Sequence, residues 1–292
     1  IADRTRARAG VGAGTRAGVA GAGVGGAGGD GRVALARAAA LWVAVALSGQ
    51  LLFALYVVGF SGRTALAGNL AAWGEVMPHG WVPGDGMGNA TIASHLALAV
   101  VILGGGALQL LPAVRRRAPA LHRWTGRAYL LAALGASAGG VYLLWGRGGA
   151  AGDTSQHLGT TLNALLVVAC ALPAWRAARA RRFAEHRRWA LRLYLVTNGV
   201  WFFRVGLMLW LLAWRRPVGF DADAFTGPFL TALAFAQTLL PLAVLEGFLR
   251  AEARGTGRAR VAMAVVLVAC AVATAGGVVG AGMGMWGPRM SG

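Results

Sequence analysis

The chain has 292 residues, 57% of them hydrophobic and 13% charged, with a formal net charge of +18. That balance excludes an ordinary soluble domain and selects a membrane protein. All 28 basic residues are arginine and stand in short clusters between long apolar runs, which argues against a nucleic-acid partner and makes the lipid bilayer the partner that orients the chain.

Residues 1–32 are almost entirely Gly, Ala, Val and Arg, with nothing large enough to fill a core, and residues 1–37 are expected to form a flexible cytoplasmic tail. The apolar stretch after Arg37 is too long for a signal peptide and lacks a convincing cleavage site. Seven apolar runs of about 20 residues follow, each the length of a bilayer-spanning helix. They cover 38–60, 90–111, 126–145, 156–175, 190–213, 227–249 and 261–282, and residues 283–292 are left as a short outer tail. The 61–89 connection is long enough to lie as a lid over the outer helix ends. Cys170 and Cys270 lie inside apolar runs, as small core residues do.

The arginines alternate between the two sides. The N-terminal tail and the connections after spans two, four and six carry 22 of them, the other side carries only Arg63, Arg147, Arg215, Arg216 and Arg289, and Arg204 lies within a span. The positive-inside rule then puts the N-terminus in the cytoplasm and the C-terminus outside, in a bacterial inner membrane. Trp124, Trp175 and Trp189 fall at the inner interface and Trp145, Trp210 and Trp214 at the outer one, as amphipathic rings prefer.

From His95 to Leu195 a two-helix unit is written twice. The first copy reads His95-Leu96, Leu111-Pro112-Ala113, an arginine patch, His122-Arg123-Trp124, Arg127 and Tyr129-Leu130. The second reads His157-Leu158, Leu172-Pro173-Ala174, an arginine patch, His186-Arg187, Trp189, Arg192 and Tyr194-Leu195. Histidine to proline is 17 and then 16 residues, and proline to histidine 10 and then 13. The fold class is therefore all-α: a seven-helix polytopic bundle in which spans two to five form a pseudo-twofold four-helix core.

His95 and His157 stand near the outer ends of spans two and four, and His122 and His186 at the inner starts of spans three and five. Imidazoles facing each other across a four-helix bundle are what axial ligation of haem iron needs, each neutral and held by a partner on its other nitrogen. The 17 residues from His95 to Pro112 span about 25 Å of helix, enough for two stacked haems. Arg127 and Arg192, just over a turn beyond the inner histidines, are placed to clamp propionates. Arg204 would cost about 2.5–3.5 kcal/mol if unpaired near the bilayer centre, and an outer propionate is one candidate partner.

The same residues fit plainer roles. His122 and His186 suit anchors on lipid phosphate, His95 a bond to a neighbouring helix, and His157 an exposed interfacial position. Arg204 has Asp221 and Asp223 within reach if it extends to the outer surface. Glu246 and Arg250, four residues apart, make an ordinary helix pair.

Two resemblances bear on these readings. His95 to Leu110, Pro112, Leu121-His122-Arg123-Trp124-Thr125-Gly126-Arg127-Ala128-Tyr129 and His186-Arg187-Arg188-Trp189 resemble a bacterial family of predicted multi-pass membrane proteins, a domain of unknown function, over roughly residues 40–250. That family implies a fold and no activity. The histidine layout is more distantly similar to the two-haem b-type cytochromes, including the ascorbate-reducible cytochromes and ferric reductases. That similarity implies haem-ligand roles for His95, His157, His122 and His186. The chain departs from the reductases in having no flavin- or nicotinamide-binding domain, since no GxGxxG lies between a strand and a helix.

Two functions follow. One is transmembrane electron transfer through two b haems, ligated by His95 with His157 and by His122 with His186, and fed by a quinol or a small cytoplasmic reductant. The other is a cofactor-free membrane protein that binds or carries a small molecule or lipid, or serves as a subunit of a larger membrane assembly. In that case the histidines and Arg204 line a polar cavity. Haem predicts facing imidazole nitrogens about 4 Å apart, twice an iron–nitrogen bond. Against a carrier, no pair of equivalent spans carries a central Gly or Pro break.

Overall fold

The computed structural model describes residues 24–77, 79–147 and 151–291. Long helices follow one another as α1 (Val24–Tyr56), α2 (Gly86–Leu110), α3 (Pro119–Trp145), α4 (Thr154–Arg179), α5 (Phe183–Thr197), α6 (Gly199–Trp214), α7 (Pro228–Arg254) and α8 (Gly257–Ala281). Among the described residues the only strand-like pairing is an isolated bridge between Asp221 and Thr226. Six helical stretches are long and apolar enough to cross a membrane, and the bent pair α5 and α6 passes the same test as one further span. The chain is an all-α polytopic membrane protein.

The helices close into a ring. α1 packs along α8, α8 on α6, α6 and α5 on α7, α7 on α4, α4 on α3, α3 on α2, and α2 returns to α1. Large apolar side chains cover the outside: Leu55, Leu66, Leu131, Leu165, Val265 and Val272 are each more than 60% exposed. In water that surface would be a liability, whereas in a bilayer it faces lipid tails of its own polarity. The interior is built from small residues at helix crossings and from an aromatic cluster of Phe53, Tyr56, Phe60, Trp73, Trp201 and Trp286.

Both ends differ from the expectation. Residues 1–23 of the expected tail lie outside the described residues, but α1 begins at Val24 and its apolar span runs Gly29–Leu66, so Arg32 and Arg37 belong to the helix. Small residues such as Gly29 and Gly31 scarcely interrupt helical hydrogen bonding, which is why a composition boundary at Arg37 misplaced the start. At the other end the chain stays helical through Gly282–Trp286 and Gly287–Ser291. Instead of forming a tail, this stretch buries Trp286 completely, with its ring 5.2 Å from Phe53 and 6.5 Å from Tyr56.

The described part of the connection between α1 and α2 folds onto the bundle. Trp73 is buried and donates its indole N–H to Thr64 Oγ1 at 2.9 Å. Asp85 caps α2 by accepting the Gly88 N–H at 2.8 Å, and its second oxygen accepts Arg147 Nε at 2.7 Å. Arg147 also donates to Asn89 Oδ1 at 2.5 Å, so a polar clasp ties the start of α2 to the end of α3. The Gly88 N–H, and after it Arg147, hold the Asp85 carboxyl below the ordinary carboxylate range. A depressed carboxylate stabilises the fold above its unfolded pKa, about 3.9, and the contribution fades as pH falls through the lower folded value. The detergent-solubilised protein should therefore melt at lower temperature on acidification from about pH 5 to about pH 3, and Asp85→Asn should show a shallower fall. Equal slopes would mean that the clasp carries none of the acid sensitivity.

Candidate functional site

The fifth expected span, 190–213, is not one helix. α5 ends at Thr197 and α6 starts at Gly199, with their axes bent by 54°. The cause is local: Asn198 Nδ2 donates to Tyr194 O at 2.7 Å and Thr197 Oγ1 to Leu193 O at 2.9 Å, so two side chains compete with the backbone ladder. Asn163 of α4 meets the opening, donating to the freed Val196 carbonyl at 2.8 Å and to Thr238 Oγ1 at 2.7 Å. Gly199 is required here, because a Cβ would lie 2.5 Å from Asn163 Nδ2. A break at membrane depth persists only where polar groups re-satisfy the backbone, as these do.

Beside the break lies a cavity of about 200 Å³. Thr197, Asn198, Val200, Trp201 and Arg204 form one wall, with His95 and Ile102 of α2, Ala136 and Gly140 of α3, and Asn163 of α4 around the rest. Phe53 of α1 and Met77 of the outer connection close it, so the connection does reach the site as a lid would. Three buried polar atoms on lining residues have no protein partner: His95 Nδ1, Asn198 Oδ1 and Trp201 Nε1. Such orphans are uncommon in a folded interior, and each costs roughly 1–3 kcal/mol.

Arg204 lies deep in the bundle yet keeps accessible surface, which it presents to the cavity. Its guanidinium stands 5.2 Å over the Phe53 ring, and Nη1 donates to Val200 O at 3.3 Å. Among the described residues it has no carboxylate partner. Asp221, a partner available on sequence grounds, instead accepts the Asp223 and Ala224 amides of its own turn.

The structure brings some of the repeat-related residues together. Arg127 lies 4.8 Å over Trp124 and Arg192 4.8 Å over Trp189, one arrangement made twice. Tyr129 and Tyr194 converge on Gly106, where a Cβ would meet the two rings at 3.4 and 3.2 Å. His186 Nδ1 lies 2.9 Å from Ala174 O. The outer pair is arranged otherwise. His95 rests on Gly139 and Gly140 of α3, whereas His157 meets Trp145 edge-on at 5.5 Å, further along that helix, and lies outside the cavity wall. Arg192 makes a bidentate pair with Glu246 at 2.7 and 3.0 Å, which takes Glu246 from its expected partner Arg250. Arg127 is exposed at the rim. Asn163, Asn198 and Trp201 escaped the sequence reading, although Thr197-Asn198-Gly199 inside an apolar run is a turn signal that pointed to them.

These features define an integral membrane protein whose broken span borders a polar cavity. The chain belongs to the family described as predicted membrane protein, DUF2306, whose model matches residues 92–240, from α2 into α7. No curated protein and no solved structure matches it.

Proposed function

We propose that this protein binds, and in doing so carries or presents, a small molecule in the cavity beside the α5–α6 break, in a bacterial inner membrane with its N-terminus in the cytoplasm. The observation that supports this reading is that three residues lining one cavity, His95, Asn198 and Trp201, each carry a buried polar atom with no protein partner. A ligand supplying their missing hydrogen bonds would offset a cost the empty fold leaves uncompensated. The orientation rests on the excess of arginine, 22 against 5, at the ends assigned to the cytoplasm.

Electron transfer through two b haems is the second reading, favoured by the inner histidines. His186 anchors Nδ1 at a carbonyl and leaves Nε2 for a metal, as an axial ligand does. When bound, haem supplies one-electron chemistry, which a quinol or small reductant would feed. The outer site gives less support, since His95 and His157 rest on different parts of α3 and Arg192 is held by Glu246.

One purification addresses both readings. Protein extracted in mild detergent should release a small organic compound detectable by mass spectrometry, and Gly140→Leu, which fills the cavity wall, should not retain it. Wild type and variant carrying the same compound, or wild type carrying none, would remove the binding reading. Sharp b-type bands in a reduced-minus-oxidised spectrum, lost in His122→Ala and His186→Ala, would put haem transfer first.

A further inference from the structure

Resting on the cavity as a binding site, we infer that its ligand is a small organic anion, a monocarboxylate with an apolar body, held at the start of α6. α6 is a helix of 16 residues that begins inside the bundle. Its first intrahelical bond is Phe202 N–H to Asn198 O at 3.0 Å, so the amides of Gly199, Val200 and Trp201 precede the helical ladder. Aligned peptide dipoles give that end a partial positive charge, and half-helix N-termini within membranes point at anionic groups in this way.

Two independent side chains add to it. The Trp201 indole is 2% exposed, its Nε1 has no partner, and an indole nitrogen only donates. Arg204 follows at i+3 from Trp201, lines the same cavity, and has no carboxylate among the described residues. A helix start, an indole N–H and a guanidinium on one wall form a donor set with a net positive charge. No Asp or Glu lines the cavity to pair with a cation, and the unpartnered Asn198 Oδ1 is a neutral acceptor only. His95 lines the same cavity and rests on Gly139 and Gly140 of α3. The remaining lining is apolar, including Leu96, Ile102, Leu103 and Val167, which calls for a hydrocarbon body on the acid. At about 200 Å³ the space fits a small acid better than a full acyl chain.

The test uses the full chain in non-ionic detergent and three probes: benzoate, its neutral isostere benzamide, and palmitate. Benzoate should bind to wild type and raise its melting temperature, and benzamide should do so at least roughly tenfold more weakly, as expected when a charge-assisted hydrogen bond is lost. Arg204→Gln should weaken benzoate by a similar factor, with Arg204→Lys between them because it keeps the charge without the planar fork. Trp201→Phe keeps an aromatic ring but removes the N–H together with the pyrrole half of the indole, and should also weaken benzoate. Palmitate binding in place of benzoate, with the same Arg204 dependence, would keep the carboxylate and make its source a fatty acid. Equal binding of benzoate and benzamide would overturn the anion while leaving the cavity reading intact, provided Gly140→Leu abolishes both. Binding of neither benzoate nor palmitate would overturn the inference, whatever compound purification yields.

Discussion

Trp286→Ala should lower the stability of the protein by about 3 kcal/mol, the low end of the range for removing a large aromatic side chain from a packed interior. The low end is appropriate because in a bilayer the side chain gains packing rather than escape from water. Trp286 is fully buried and its ring tilts against Phe53 at 5.2 Å. Phe53 in turn lies under the Arg204 guanidinium at 5.2 Å. Loss of the indole would therefore free the chain end from α1 and loosen the ring that lies under the cavity's arginine. A thermal melt in detergent should show both effects, as a lower transition and a smaller shift with benzoate. Val272→Ala, on α8 but 68% exposed to lipid, is the control and should melt with wild type. If Trp286→Ala melted there too, the docking of the C-terminal segment would contribute nothing.

Gly277→Ala should have a comparable effect for the opposite reason, overpacking. A Cβ at Gly277 would stand 2.3 Å from the Val205 carbonyl oxygen and 3.0 Å from its carbon. Backbone cannot swing aside as a side-chain tip does, so α6 and α8 would have to separate, at a cost of about 3 kcal/mol. Close approach at small residues is how membrane helices gain their packing energy. Moving α6 also displaces Trp201 and Arg204, so ligand binding should fall with stability. Gly104→Ala is the counterpart: nothing lies within 4 Å of the added carbon, and the melt should stay within the equivalent of about 0.5 kcal/mol of wild type. A Gly277→Ala protein as stable as Gly104→Ala would show that the α6–α8 contact is not tight.

Spans were legible because a bilayer demands an uninterrupted apolar length, and a run such as 90–111 meets that demand by composition alone. Breaks were harder to place, because proline misleads here. Pro173 and Pro241 sit inside α4 and α7, whereas the 54° bend falls at the weaker Asn198-Gly199 signal within an apolar run. Position along a helix was readable and rotation was not. His95 was expected deep near the outer end of its helix, but whether it met His157 depended on what each faced. From Trp124 and Trp189 to Tyr129 and Tyr194 the two copies are offset by a constant 65 residues, which makes Arg204 the counterpart of Gly139. His95 rests against that glycine, and the second copy has no such space. Glu246 was read with Arg250 because helical spacing reveals only neighbours on the same helix. Its partner Arg192 comes from α5.

The break between Thr197 and Gly199 also marks where the two copies part company. On one side of it lie the features made in duplicate: the paired tyrosines and the two arginine–tryptophan stacks. Beyond it one copy continues as the straight helix α3 with glycine at 139, while the other turns and carries Arg204. A doubled gene supplies matching half-sites without further change, and a single lopsided site requires one half to drift from its twin. The duplicated pairs therefore gather on one side of the break, and the cavity is built where the two copies differ.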